Sequence, residues 1–285
     1  MIGVHKSMQK FVLLIIAVLF LLSLALPWWP STLEPESAPE EPAGISLNVP
    51  EVEIHTSVPA FSDINDVRTR KQLFFEFLMP AVKAENIRIS QQRRHLLELA
   101  NLIQNGQSLE PHEQRWLRHL ATEYEVDTED NSLTDVLVLL KRRVDTVPET
   151  LVLVQAANES GWGTSRFAQE GLNFFGQWCF RKGCGLVPDA RDEDGDHEVA
   201  KFDSVNQSVR SYLNNINTHP AYLELRQIRE NYREDGNELT ALSLTAGLLS
   251  YSIRREAYVE ELNAMIRVNR PLIREISSVT LEPTP

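Results

Sequence analysis

The sequence predicts a mainly α-helical protein with one small β-hairpin excursion. From residue 62 onward, apolar residues recur at spacings of three and four over most of the chain, which is the period of amphipathic helices. Between about 171 and 203 this pattern gives way to glycines, two cysteines, an acidic stretch and a short apolar run, which favours a hairpin. A chain of 285 residues, 42% of them hydrophobic, can bury the core of one or two globular domains.

The first 29 residues differ in composition from the rest. A charge-free run of 16 residues spans 11–26 and follows His5, Lys6 and Lys10. A basic flank before such a run is typical of an export signal or a membrane anchor. We therefore expect residues 1–29 to be either a signal peptide cleaved after Ala25 or an anchor that stays in the membrane. Both alternatives place the rest of the chain outside the cytoplasm.

Residues 30–61 are predicted to form a semi-extended tether. They hold six of the chain's 15 prolines, interspersed with Glu and Ser. Such a composition buries too little apolar surface to offset the entropy lost on ordering.

Helical patterns then follow in order along the chain. The predicted helices cover 66–84 with an interruption at Pro80, 90–105 capped by Ser90, 111–124, 133–144 and 148–160, and, after the β excursion, 206–217, 221–232, 238–250 and 255–269. The excursion itself is predicted to be a hairpin that turns near Asp194-Gly195.

Cys179 and Cys184 are the chain's two cysteines. In an oxidising compartment, two cysteines around a four-residue gap form a disulfide more often than they bind a metal. A zinc site would need two further ligands, which no nearby pair of histidines supplies. The spacing therefore predicts a disulfide that closes a short loop.

The acidic stretch that follows does not match a metal-binding motif. With Gly195 as the EF-hand glycine, the first and last ligand positions fall on Ala190 and Lys201, which cannot serve. The segment HEVAK from His197 is likewise not HExxH. We expect no metal and no cofactor. The formal net charge of −12 argues against a nucleic-acid partner bound through a broad basic surface.

Glu159 ends the helix predicted for 148–160. This helix is apolar on nearly every face, which indicates that it is buried, and Gly161 then breaks it. Burial beside Trp162 and the negative end of the helix dipole both raise the pKa of a carboxyl group. A carboxylic acid that stays protonated near neutral pH can act as a general acid. The alternative is a glutamate in a last helical turn that simply faces solvent.

Blocks of sequence from Glu159 onward resemble the bacterial glucosaminidase family (glycoside hydrolase family 73). These blocks are ANESGWGTS (157–165), LNFFG (172–176), FDSVNQSV (202–209), THPAYLELR (218–226) and LLSYSIRREAYVEELNAMI (248–266). Residues 71–90 and 176–188 are similar to the Bax protein branch of that family. The resemblance implies a lysozyme-like α+β catalytic domain at 145–270, preceded by a helical extension at 62–144 and followed by a tail at 271–285.

The resemblance also implies roles for individual residues. Glu159 matches the family's catalytic acid, and Asn173, Phe175 and Gly176 match the Asn-x-Phe-Gly motif that shapes the cleft. Tyr251 matches the tyrosine of the family's GYATD block, which is placed to steady the reacting sugar. Ser250 and residues 252–254 depart from that block.

Aromatic residues near the predicted site are candidates to line glycan subsites, because aromatic faces stack on the apolar faces of sugars. They are Trp162, Phe174, Phe175, Trp178 and Tyr222. Packing in the core is the alternative for these rings. It is the interpretation we favour for Phe174, and for Trp178 we weigh it equally with a subsite role.

Glycoside hydrolysis usually requires a second carboxylate. The resemblance places it in the β excursion, where the candidates are Asp189, Asp192, Glu193, Asp194, Asp196 and Glu198. Alignment of Asp194-Gly195 with the family's hairpin turn favours Glu193. In the alternative mechanism the 2-acetamido oxygen of the substrate attacks, and only Glu159 and orienting groups such as Tyr251 are needed.

The sequence thus predicts an exported or membrane-tethered endo-β-N-acetylglucosaminidase that acts on peptidoglycan glycan strands in the periplasm. Two alternatives stay open. One is a cell-wall binding module that has lost turnover, and the other is a lytic transglycosylase or muramidase that acts on the neighbouring linkage.

Overall fold

The computed structural model describes residues 46–188 and 197–279. The α-helices in these ranges are α1 Val67–Gln104, α2 Pro111–Glu123, α3 Leu133–Arg143, α4 Glu149–Glu159, α5 Arg166–Gly171, α6 Val205–Thr218, α7 Leu223–Glu234, α8 Ala241–Leu244 and α9 Glu256–Val279. Short 3₁₀ helices lie at Phe61–Asp63, Pro220–Tyr222 and Thr245–Leu248. The prediction of a mainly α fold with a small β excursion is confirmed.

A small antiparallel sheet follows α5. Its strands are β1 Trp178–Cys179, β2 Gly185–Leu186 and β3 Glu198–Ala200, and β3 lies between the other two. Trp178 pairs with Val199, and Leu186 pairs with the same residue from the other side. The sheet therefore has a third strand beyond the predicted hairpin. The turn predicted at Asp194-Gly195 falls between β2 and β3 and lies outside the described residues.

The predicted disulfide between Cys179 and Cys184 is present, with 6.2 Å between the two Cα atoms. It closes the loop between β1 and β2. The carboxylate of Glu198 on β3 accepts hydrogen bonds from the backbone N–H groups of Gly183 and Gly185, at 2.9 and 2.8 Å. Cys179, Cys184 and Glu198 also form the one potential metal-ligand cluster among the described residues. The two cysteines are already bonded to each other, however.

Helix α4 is the central element of the core. All its residues from Leu151 to Ala157 are buried, as its nearly continuous apolar sequence predicts. Helices α1 and α9 pack against it, and α1 also contacts α3 and α6. One continuous cluster of buried apolar side chains thus joins the region 62–144 to the region 145–270.

The predicted interruption at Pro80 and the predicted cap at Ser90 are wrong. Helix α1 runs unbroken for 38 residues through both positions, and its N-cap is Asp66, whose carboxylate accepts from the Thr69 N–H at 2.8 Å. The Ser90 hydroxyl instead donates to the carbonyl of Ile87 at 2.9 Å. A proline inside a helix costs about 3 kcal/mol, which is less than the burial of the apolar residues on either side of Pro80 contributes.

The last part of the predicted tether lies against the folded domain. Residues 46–60 form no helix or strand. The carbonyl of His55 accepts from the Val205 N–H at 2.9 Å, and the carbonyl of Pro59 accepts from the Gln169 amide at 3.2 Å. Phe61, at the end of this segment, is buried. The segment is therefore docked, while residues 30–45 lie outside the described residues.

The last helix is longer than predicted. Helix α9 passes through Pro271 and ends at Val279, and Ile273 and Ile276 are buried. The first part of the predicted tail at 271–285 is thus helical as far as Val279 and packs against the core. Within the described ranges, no helix combines the length and apolarity needed to cross a membrane. The apolar run 11–26 and the predicted cleavage site after Ala25 lie outside those ranges.

Candidate active site

Glu159 is the last residue of α4. The next residue, Ser160, ends the helix: its hydroxyl donates to the Ala156 carbonyl at 2.6 Å and accepts from the Gly163 N–H at 2.8 Å. Gly161, Trp162 and Gly163 then have positive φ angles of 56°, 61° and 77°. Left-handed residues in succession turn the chain sharply. The chain therefore leaves the helix axis directly after Glu159.

The environment of Glu159 favours its protonated form. The side chain is half-buried, and burial raises the pKa of its carboxyl group above the usual range. Hydrogen bonds from Tyr258 and Asn158 act in the opposite direction, and the charges of Glu261 and Arg254 oppose each other. Burial prevails, so Glu159 binds a proton at higher pH than an exposed glutamate does.

Asn173 stabilises the loop 172–177, which approaches Glu159. Its side-chain amide donates to the carbonyls of Gln177 and Ala200, both at 2.9 Å, and accepts from the N–H groups of Phe175 and Gln177, both at 3.2 Å. The side chain is 1% exposed, and its hydrogen bonds hold the loop together and tie it to β3.

The loop carries Gly176 up to the carboxylate. A Cβ atom placed on Gly176, whose φ is +65°, would lie 3.8 Å from Oε2 of Glu159. The Asn-x-Phe-Gly motif thus shapes the site through its backbone.

Tyrosine rings form the wall beside Glu159. Tyr251 and Tyr258 stack with ring centroids 5.5 Å apart, and Tyr222 lies 5.8 Å from Tyr251. The Tyr251 hydroxyl donates to the carbonyl of Phe175 at 2.9 Å, and Phe175 stacks on Tyr212 at 4.0 Å. Burial raises the pKa of the Tyr251 and Tyr222 hydroxyls. This wall therefore stays neutral and donates hydrogen bonds at neutral pH.

The structure gives the remaining predicted aromatic residues different environments. Trp162 packs edge-on against Phe74 and Phe75 of α1, and Nζ of Lys71 lies 4.8 Å from the centre of its ring. Trp178 is 60% exposed and stacks on His197 at 4.1 Å.

Phe174, Phe175 and Tyr222 are buried. Core packing, the interpretation favoured for Phe174, agrees with its full burial. Of the predicted subsite aromatics, Trp178 offers the most surface to a ligand.

Five of the six candidates for a second acid lie outside the described residues. Glu193 and the four aspartates that compete with it lie within 189–196, outside the described ranges. Glu198, the sixth candidate, is 5% exposed, and its two carboxylate oxygens accept from Gly183 and Gly185. It holds the disulfide loop, which leaves it unsuited to attack a sugar.

Sequence reasoning missed three linked residues in the region of Glu159, namely Gln155, Tyr212 and Tyr258. Gln155 is the polar residue of an otherwise apolar stretch and stands one turn before Glu159. A buried amide needs hydrogen-bond partners. A glutamine inside an apolar helix was therefore the signal that the sequence offered. Its partners lie 57 and 103 residues away along the chain, so their identity could not be read from spacing.

Comparisons with known proteins identify the family of this chain. A family model described as Mannosyl-glycoprotein endo-beta-N-acetylglucosaminidase matches residues 137–270. Protein bax of Escherichia coli (strain K12) is 32% identical over 218 residues, which is 76% of each chain.

Among solved structures, the catalytic domain of the autolysin Auto from Listeria monocytogenes is similar at a TM-score of 0.35 and 21% identity. The match covers 59% of this chain and 89% of that one.

Proposed function

The chain belongs to the glucosaminidase family of glycoside hydrolases, and from this premise we propose that it is an endo-β-N-acetylglucosaminidase that cleaves peptidoglycan glycan strands. Glu159 is its general acid. The observation that carries the proposal is the Glu159 carboxyl group, half-buried at the end of the core helix with a raised pKa and with Gly176 and a tyrosine wall beside it.

In the proposed reaction Glu159 begins in its protonated form. It gives its proton to the glycosidic oxygen as the bond from that oxygen to the anomeric carbon breaks, and the leaving sugar departs as an alcohol. Positive charge then develops at the anomeric carbon. Water finally supplies the new hydroxyl group at the anomeric carbon. The proton that this water loses passes to a carboxylate.

Two routes to the intermediate fit this scheme. In the first, the Glu193 carboxylate supports the anomeric carbon, either as a nucleophile or by activating water. In the second, the 2-acetamido oxygen of the substrate attacks, and the acetamido N–H needs an acceptor. The Tyr251 hydroxyl already donates to the carbonyl of Phe175 at 2.9 Å, so its oxygen remains available to accept that N–H.

The chain is also proposed to act outside the cytoplasm. The disulfide Cys179–Cys184 supports this location because disulfides persist in oxidising compartments. The apolar run 11–26, with its basic flank, would export the chain or hold it to the membrane.

Digestion of purified peptidoglycan tests the proposed linkage. The chain from residue 46 onward is incubated with glycan strands, and product masses and reducing ends are identified. We expect new reducing ends that carry N-acetylglucosamine, and we expect them to be absent with Glu159→Gln. The matched control is Glu170→Gln, because Glu170 is an exposed glutamate on α5.

Other products would overturn the proposal in favour of a stated alternative. Anhydromuramic ends would identify a lytic transglycosylase, and reducing muramic ends a muramidase. Intact strands that sediment together with the protein would identify a binding module without turnover.

To test Glu193 separately, Glu193→Gln is compared with Asp192→Asn. A loss of turnover of about 100-fold or more in Glu193→Gln alone is expected for a second catalytic carboxylate. Equal rates in both variants would favour attack by the acetamido group.

A further inference from the structure

Beneath the tyrosine wall, a chain of buried hydrogen bonds ends at Glu159. The Tyr212 hydroxyl donates to Oε1 of Gln155 at 2.5 Å, and Nε2 of Gln155 donates to the Tyr258 hydroxyl oxygen at 3.1 Å. The Tyr258 hydroxyl in turn lies close enough to Glu159 to lower the pKa of its carboxyl group as a hydrogen-bond donor. Tyr212 and Gln155 are 0% exposed and Tyr258 is 2% exposed, so water does not compete for these groups.

The chemistry of the amide fixes the direction of this chain. Oε1 of Gln155 can only accept and Nε2 can only donate. Because Tyr212 donates to Oε1, the nitrogen of Gln155 faces Tyr258 and donates to its oxygen. The Tyr258 hydroxyl then cannot donate to Gln155, and its own proton points to Glu159.

We infer that Gln155 and Tyr212 are positioning residues that hold the Tyr258 hydroxyl proton on the Glu159 carboxyl group. Neither residue touches the substrate; both act through Tyr258. The inference deepens the proposed function and rests on Glu159 being its general acid.

The consequence concerns which oxygen of Glu159 carries the acidic proton. A carboxyl oxygen that accepts from Tyr258 is the poorer site for a proton, so the proton of the acid form lies on the other oxygen. The same hydrogen bond lowers the pKa of Glu159 against the larger effect of burial. The chain thus orients the acid and keeps it from becoming too weak to donate.

Other groups also bear on the titration of Glu159. Glu261 on α9 raises its pKa, Arg254 lowers it, and the Asn158 side chain also lowers it through a hydrogen bond. Arg254 and Glu261 form an ion pair at 2.7 Å, and both are partly exposed. Tyr222 and Tyr251 face the same carboxyl group as neutral hydroxyls. None of these groups belongs to the chain from Tyr212, so changes at Tyr212 test the chain alone.

The decisive variant is Tyr212→Phe, which removes one oxygen atom three hydrogen bonds away from Glu159. Without that donor, the Gln155 amide is free to turn and offer Oε1 to Tyr258. The Tyr258 proton then leaves Glu159, and we expect the pKa of Glu159 to rise by about half a unit. The alkaline limb of the pH–rate profile should shift to higher pH by the same amount, because the acid must be protonated to act.

A matched control exists elsewhere in the chain. The buried Tyr124 hydroxyl donates to Oε1 of Gln92 at 2.9 Å, which is the same chemistry in the helical extension. Tyr124→Phe should lower the melting temperature to a similar extent and leave the titration of Glu159 unchanged. Tyr258→Phe removes the final donor and should give the largest rise, with no further rise when Tyr212→Phe is added.

The titration of Glu159 is measured directly by carbon-13 NMR of glutamate-labelled protein, with Glu159→Gln to identify its signal. This readout needs no turnover, so it remains valid even if peptidoglycan proves not to be the substrate. An unchanged Glu159 titration in Tyr212→Phe would overturn the inference. If Tyr212→Phe does not fold, Tyr258→Phe decides the question: the pKa of Glu159 should rise, and an unchanged titration would overturn the inference.

Discussion

At the scale of single residues, the site depends on how few charges surround Glu159. The described charges that bear on its pKa are Glu261 and Arg254, which oppose each other. The rings of Tyr251 and Tyr258 are neutral and partly exclude water from the carboxyl group. A carboxyl group in such surroundings keeps its proton more readily than one in water, which suits an acid that must donate near neutral pH.

The backbone of Gly176 also lies beside Glu159, and the variant Gly176→Ala tests its contribution to the site. Its φ of +65° disfavours any residue with a Cβ atom, although the added atom would meet Oε2 of Glu159 only at an ordinary 3.8 Å. We expect a loss of about 1–2 kcal/mol in the free energy of unfolding and a clear loss of turnover, because the strained loop moves against Glu159. Urea unfolding and the rate of reducing-end release measure the two effects.

Gly236→Ala is the control for this variant. Gly236 has a φ of +67° and nothing within 4 Å of the position of an added Cβ atom. It should lose similar stability and keep its turnover. Equal turnover in the two variants would contradict the part assigned to Gly176.

The sequence predicted this site only in part. Glu159 stood out because a carboxylate at the end of an apolar helix is unusual, and Tyr251 through the resemblance. Gln155 and Tyr258 are 103 residues apart along the chain, and no local pattern predicts which distant hydroxyl satisfies a buried amide. A second acid at Glu193 stays a prediction.

At the scale of elements, Asp145 joins the helical extension to the region of the site. It is 2% exposed and lies just before α4. Its carboxylate accepts from Arg233 of α7 at 3.1 and 3.0 Å and forms ion pairs with Arg93 of α1 at 3.6 Å and with Arg229 of α7 at 3.8 Å. Burial works against the charged carboxylate, but the arginines outweigh it and lower its pKa.

This network predicts a dependence of stability on acid. Because the pKa of Asp145 is lower in the folded state, its contribution is complete above the unfolded value of about 3.9 and is lost as pH falls through the folded value. Asp145→Asn should cost about 3–5 kcal/mol at neutral pH, because it leaves the buried Arg229 without its anion. Urea unfolding at a series of pH values should show the gap to wild type closing in acid.

Asp203→Asn is the matched control, because Asp203 is exposed. It should unfold like the wild type at every pH. A gap between wild type and Asp145→Asn that stays constant into strong acid would contradict the assignment of a charged Asp145.

Helix α1 shows why element boundaries were harder to predict than element type. Its apolar period was correctly interpreted as helical, but Pro80 suggested a break. The helix continues because both halves bury apolar side chains against α4, α6 and α9, and tertiary burial is not visible in a local pattern. The extension of α9 through Pro271 has the same cause, since Ile273 and Ile276 are buried beyond it.

At the scale of the whole molecule, the extension and the catalytic region share one core. Phe74, Phe75, Leu78, Met79 and Val82 of α1 are all 0% exposed. Full burial of five such side chains contributes on the order of 10 kcal/mol, which is comparable to the whole stability of a typical domain. The boundary predicted at 144–145 therefore separates two parts of the sequence but not two cores.

A truncated chain tests this shared core. A protein that begins at residue 145 should lack a cooperative thermal transition and bind hydrophobic dyes, because the faces of α4 and α9 that α1 covers would be open to water. A protein that begins at residue 46 should melt cooperatively. Calorimetry on both distinguishes the outcomes, and a cooperative transition in the shorter protein would show that the catalytic region folds alone.

The central claim is that Glu159 is the acid of a glycoside hydrolase, and the pH–rate profile on purified peptidoglycan tests it most directly. Reducing-end release is measured across the acid and neutral range for wild type, Glu159→Gln and Glu170→Gln. Wild type and Glu170→Gln should show an alkaline limb. Glu159→Gln should have a rate about 100- to 10,000-fold lower, with that limb gone. A Glu159→Gln variant that keeps the rate and the alkaline limb of the wild type would contradict the claim.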